Sequence, residues 1–228
     1  MITLSFDTAT PAPSLALVRD GAVIGERSIG AQVGAGRRVA EEIHLLLGAA
    51  RLDLDAVGRI VVGVGPGGFT GIRIGIATAL GLGQALGIPV IGVSTLETLA
   101  LGLADAHDDA LVVPVIDARR NEVFTAAYRV HGGAIDEVAE ARALPIPDAE
   151  AYLEGFDGPV VVAGDGVARL PEEVRASSDV MLDPGCDAVR SALAVRLADA
   201  GHGRPVTPVY LRLPDAEVNR RAREATTS

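Results

Sequence analysis

Apolar residues change their spacing several times along this chain, and each change marks an element. "ITLSFD" (2–7), "SLALV" (14–18) and "AVIGERS" (22–28) are short apolar or alternating runs. The turns "TATPAP" and "RDG" separate them, so they read as three strands. From Arg37 the spacing lengthens. Val39, Ala40, Ile43, Leu46, Leu47 and Ala50 recur as one face of a helix. "RIVVGVG" (59–65) is continuously apolar, the pattern of a strand buried on both faces. A second helix over Gly71–Gly87, a strand "IPVIGVS" and a third helix from Thr95 complete this part.

Near residue 110 the pattern restarts. "LVVPVID" ends on Asp117 as "ITLSFD" ends on Asp7, and each is followed by a turn, a second apolar strand, an arginine and a glycine turn. This suggests a duplication, although two unrelated hairpins share some of these features. Later segments predict a short helix over 145–155, a strand and tight turn over 158–166, an amphipathic helix over 186–201 and an extended stretch over 207–217. The end of the chain is a polar tail. Strands alternating with helices predict an α/β fold with mixed sheets. The expected division is 1–105, which holds the glycine-rich loop, and a more degenerate 106–228.

The loop "GVGPGGFTG" places Gly63, Gly65, Pro66, Gly67, Gly68, Phe69 and Thr70 between a strand and a helix, with Arg73 one turn on. Backbone N–H groups at such a junction can hold an anion. The P-loop lysine pattern is absent, so the loop fits better a plain turn in which Pro66 stops the strand and Thr70 helps cap the helix. The following helix carries Gly71, Gly75, Ala79, Gly83 and Gly87 along one ridge. Each glycine costs such a helix about 1 kcal/mol relative to alanine. A ridge pared back in this way expects a close backbone neighbour, either within the chain or on a second molecule.

Composition narrows the chemistry. Hydrophobic residues make up 49% of the 228 residues and aromatic ones only 3%, so Val, Leu, Ile and Ala must build the core. All 20 basic residues are arginine, which removes every lysine-based mechanism. A net charge of −10 argues against tight binding of nucleic acid by the chain alone. The single Cys186 excludes a disulfide framework, and no two of the four histidines have helical metal-ligand spacing, so no metal site is expected. Asp7 and Asp117, each ending a strand, suit either a turn hydrogen bond or a cation. The opening "MITLSFDTAT" lacks the run of a secretory signal, and polar residues interrupt the apolar second helix. A cytoplasmic chain without a membrane span is therefore expected.

Together "LSFDTAT", the run from Gly63 to Ala100, "VIDARRNEVFTAAY" and "PVYLRLPDAE" resemble the TsaB (YeaZ) family over most of the chain. The resemblance implies two related halves of the actin, sugar-kinase and Hsp70 (ribonuclease H-like) superfold. It implies a non-catalytic subunit in the formation of N6-threonylcarbamoyladenosine at position 37 of tRNAs that read ANN codons. The implied partners are a TsaD-like catalytic subunit and a TsaE-like ATPase, with tRNA met only through the complex and a homodimer when alone. No cofactor is implied in the isolated chain, with ATP or ADP confined to the complex interface. The pairing surface is implied on the first two helices, at Val39, Ile43, Leu46, Leu47, Gly71, Ile72, Gly75, Ile76, Ala79 and Gly83. Asp7 and Thr8 would then be the remnant of a nucleotide site. The chain departs from the family pattern at Gly68, commonly Ser, at Leu80, commonly Lys, and near Arg38 and Val39, where a His is common. The rival expectation is a stand-alone phosphotransferase of the same superfold, binding ATP through Asp7 and the glycine loop.

Overall fold

A computed structural model describes residues 1–30 and 38–212. The start of the first helix at Arg37, the loop before it, and everything beyond Arg212 lie outside the described residues. The first sheet contains β1 (Ile2–Asp7), β2 (Ser14–Arg19), β3 (Ala22–Ser28), β4 (Val57–Gly63) and β5 (Val90–Val93), in the order β3-β2-β1-β4-β5. The second contains β6 (Leu111–Arg119), β7 (Glu122–His131), β8 (Ala134–Pro145), β9 (Val160–Ala163) and β10 (Val180–Leu182), in the order β10-β9-β6-β7-β8. Read from its other edge, the second order is the first repeated. In both sheets the first two pairings along the chain are antiparallel and the last two parallel. The molecule therefore consists of two halves of one topology.

The helices follow the same repeat: α1 (Val39–Ala49), α2 (Phe69–Leu86) and α3 (Thr95–Ala104) in the first half, α4 (Ala149–Glu154), α5 (Glu172–Arg175) and α6 (Ser191–Asp199) in the second. Strand alternation divides the first sheet into two apolar faces. Leu4, Phe6, Leu15, Leu17, Ile60 and Val62 meet α1 and α2 on the outer side. Ala16, Val18, Val61 and Val93 face inward, into a core shared with α3, α6 and the second sheet. The helices cross over in this central layer: α3 packs on β6, β7 and β8, whereas α6 packs on β1, β2, β4 and β5. The segment after α6 also returns to the first half. Arg204 pairs with Gly92, the Val209 N–H donates to the Val64 carbonyl at 2.8 Å, and Arg204 Nη2 donates to Glu97 Oε1 at 2.5 Å.

Three elements had no clear sequence signal: β8, α5 and β10. In β8, a polar stretch of 12 residues, only Ile135 and Leu144 are buried. Its period-2 signature is correspondingly faint. By length and composition α2 could cross a membrane, with a mean hydropathy of 1.2. Its Ile72, Gly75, Ile76, Ala79 and Gly83 lie instead in the core beside β4. Gly87 ends it in the left-handed conformation, φ 67°, with its N–H on the Gly83 carbonyl, as expected of a glycine just past a helix.

Candidate functional site

Asp7 ends β1 at the point where the glycine loop leaves β4, and it is 2% exposed. Its carboxylate accepts the Ala9 N–H at 2.7 Å and the Thr95 hydroxyl at 2.8 Å. Burial pushes its pKa up, opposed by those two donors. The glycines make room for the chain itself. A Cβ on Gly63 would overlap the Asp7 carboxylate, one on Gly65 would press on the Ile72 side chain at 2.7 Å and the Val209 carbonyl at 3.0 Å, and one on Gly67 would strike the Ala9 carbonyl. The Gly68 N–H is already spent on Ala9 O at 2.6 Å. The loop is thus a sealed turn around a buried aspartate. Thr70 does not cap α2. The N-cap is Gly68, with no side-chain bond, and Thr70 is the second residue of the helix.

Arg73 has a structural task. Its guanidinium lies 3.7 Å over the Phe69 ring and its Nε donates to the Tyr210 hydroxyl at 2.8 Å, while Phe69 and Tyr210 stack at 5.0 Å. The start of α2 therefore clamps the returning segment around Val209.

The glycine ridge faces inward, which corrects the expectation that a second molecule meets it. Side chains at Gly71 and Gly75 would collide with the Thr8 carbonyl and hydroxyl, and one at Gly83 with Val90. Ala79 is fully buried, and the Thr8 hydroxyl donates to the Gly71 carbonyl at 2.7 Å. Of the other positions expected at the contact, Val39, Ile43, Leu46, Leu47, Ile72 and Ile76 all belong to the outer-side core of the first sheet. Their apolar periodicity was real, but it marked the sheet-facing side. Glu42, also buried, joins this side of α1 to β3 through Arg27 at 2.6 Å and to Arg38 at 2.9 Å.

In the second half Asp117 occupies the place of Asp7. It is not sealed: Arg119 reaches it at 3.1 Å and Arg169 at 3.9 Å. Asp165, between Gly164 and Gly166, accepts the Asp117 N–H at 3.4 Å. Burial, reinforced by the Asp117 charge, pushes its pKa up to about 6. Cys186 precedes α6, where a helix end could have lowered its pKa. Burial and the nearby Asp183 raise it instead, so it is not an activated thiolate. Among the described residues no group of three or more His, Cys, Asp and Glu could hold a metal ion.

A family model described as tRNA N6-adenosine threonylcarbamoyltransferase (TsaD) matches residues 36–172, more than half of the chain. The protein named tRNA threonylcarbamoyladenosine biosynthesis protein TsaB from Bacillus subtilis is 32% identical over 95% of this chain and 96% of its own length. The chain belongs to the TsaB (YeaZ) family. A solved structure of YeaZ from Pseudomonas aeruginosa superposes with a TM-score of 0.76 at 30% identity, covering 92% of this chain and 99% of that one. Component A of (R)-2-hydroxyglutaryl-CoA dehydratase from Acidaminococcus fermentans, at 12% identity and a TM-score of 0.50, shares the fold alone, with 87% of this chain and 99% of that one covered. The two mixed sheets flanked by helices are those of the actin and sugar-kinase superfold, as the resemblance implied.

With the inner ridge of α2 accounted for, this TsaB family member shows a second one that sequence reasoning passed over. Arg73, Ala77, Gly81 and Ala85 also lie four apart, and all are exposed. A Cβ at Gly81 would meet nothing within 4 Å. Leu80 beside this ridge is 46% exposed, and Leu45 on α1 is 43% exposed, with His44, Gly48 and Ala49 around it. Both helices therefore turn small or apolar residues outward on the same side of the sheet. The signal was present in the sequence, but an all-round apolar helix offers two ridges and periodicity does not rank them.

Proposed function

We propose that this chain is a non-catalytic, activating subunit in the formation of N6-threonylcarbamoyladenosine on tRNA, pairing with a TsaD-like catalytic subunit. The observation that carries this reading is the outward face of α1 and α2, where Leu45 and Leu80 stand half-exposed among Ala49, Ala77, Gly81 and Ala85. Smooth helix ridges allow close backbone approach, and each half-exposed leucine gains roughly 1 kcal/mol when a partner covers it. The partner thus meets the face opposite to the inner ridge. The sealed Asp7 supports the absence of a separate active site, because a cation or water linking its carboxylate to a nucleotide phosphate would have to displace the Ala9 N–H and the Thr95 hydroxyl from it. The same geometry argues against the stand-alone phosphotransferase. On this reading a nucleotide, a TsaE-like ATPase and tRNA engage the assembled complex. The isolated chain closes the face by dimerising, and the setting is the cytoplasm.

The test is co-purification with the TsaD-like subunit after Leu80→Glu combined with Gly81→Arg, beside Leu45→Glu on α1. Assembly should be lost in each case while the melting temperature stays within a few degrees of the parent. Undiminished assembly with both helices altered would place the contact elsewhere.

A further inference from the structure

We propose that the outer side of the second sheet carries a binding pocket for a small organic cation, an ammonium or guanidinium group on a short apolar body. The inference is independent of the proposed pairing, since α1 and α2 lie on the outer side of the other sheet.

The pocket arises from unequal cover of two equivalent sheets. In the first half, helices of 11 and 18 residues lie over the strands, and in the second half their counterparts have only 6 and 4. Between these short helices and the β9–β10 margin a cavity of about 230 Å³ opens. Its floor is apolar: Leu153, Phe156, Val160, Val174 and Val180. Val160 and Val180 are register partners on adjacent parallel strands, so their side chains stand together on one face. Phe156 is fixed by an edge contact with Tyr152, 5.1 Å between centroids.

The rim selects the charge. Glu150 and Glu154, one turn apart on α4, and Asp179 just before β10 line the opening, and no arginine does. Among the described residues none of these three carboxylates has an ion pair or side-chain hydrogen bond. On a chain of net charge −10 they leave an uncompensated negative mouth over an apolar floor. The carboxylates do not form a cluster able to hold a metal ion. At roughly 30 Å³ per water molecule, the space equals about eight waters, enough for an aliphatic amine and too little for a nucleotide.

The probe is hexylammonium, titrated into the full-length chain with the valine methyl signals observed by NMR. Saturable shifts of Val160, Val174 and Val180 are expected. Hexanol should bind at least about fivefold more weakly and hexanoate not measurably. The combined variant Glu150→Gln, Glu154→Gln, Asp179→Asn should lose about fivefold to tenfold in affinity, the scale of three solvent-screened carboxylates. All three positions are exposed, so the variant should fold. Absence of saturable shifts, equal affinity for hexanol, or affinity unchanged in the variant would each overturn the proposal.

Discussion

At Gly75 a side chain would enter the space of the Thr8 hydroxyl and Val62, whereas at Gly81 it would meet open solvent. Gly75→Leu should therefore destabilise the fold by roughly 3 kcal/mol or more, through overpacking. Gly81→Ala should stabilise it by up to about 1 kcal/mol, the helix-propensity difference. Urea unfolding of both variants checks the pair, and a harmless Gly75→Leu would show that the ridge is not packed inward. Asp165 makes a pH-dependent prediction. Its folded pKa, about 6, lies above the ordinary value of 3.8, so the folded state holds the proton more tightly than the unfolded one. The associated stability is fully present below the unfolded pKa and is lost as pH rises through about 6. Asp165→Asn, which keeps the acceptor for the Asp117 N–H, should gain stability over the parent as pH climbs from about 5 to about 7.5, on the order of 1 kcal/mol, because only about one pH unit of the loss lies above pH 5. A parent–variant difference that stays flat across that range would remove the assignment.

Among the elements, α2 performs three tasks from three faces. Its inner ridge seats it on the Thr8 turn and β4, its first turn holds Tyr210, and its outer ridge is open. The first-turn task can be tested alone. Arg73→Ala removes the cation–π contact and the tyrosine hydrogen bond, together worth about 1–2 kcal/mol. It should also speed amide exchange at Val209, whose N–H donates to Val64. Unchanged exchange at Val209 would mean that the segment is held by its backbone pairing alone. The sequence pattern revealed most of the helices and strands because their apolar residues recur at 3.6 or 2. It missed β8 because that strand buries so little, and α5 and β10 because elements of 4 and 3 residues are too short for a period to register.

For the whole molecule the repeat governs how the halves depend on each other. The boundary near residue 105 falls between α3 and β6, yet α3 is covered by the second sheet and α6 covers the first. A fragment of residues 1–105 would expose Leu96, Leu99 and Leu103 of α3 and leave Ala16, Val18 and Val61 without their cover. It should fail to give dispersed NMR signals alone and recover them when the rest of the chain is added. An independently folded fragment would show the halves to be separable. The likeness of Asp7 and Asp117 was visible in the sequence, but their different fates were not. One is closed in by Thr95 from α3, the other is left open to Arg119 and Arg169.

The residues alone determined the α/β class, the restart at Asp117, the family, and the closeness with which something must approach the ridge of Gly71, Gly75, Ala79 and Gly83. These follow from local spacing and composition, which a chain carries wherever it is placed. Only the tertiary structure decided what makes that approach. Beyond Arg73 both ridges of α2 carry only small residues, and which one is buried depends on the Thr8 turn and Val90, neighbours distant in sequence. The partner-facing side could be sought only after the chain had used the other for itself.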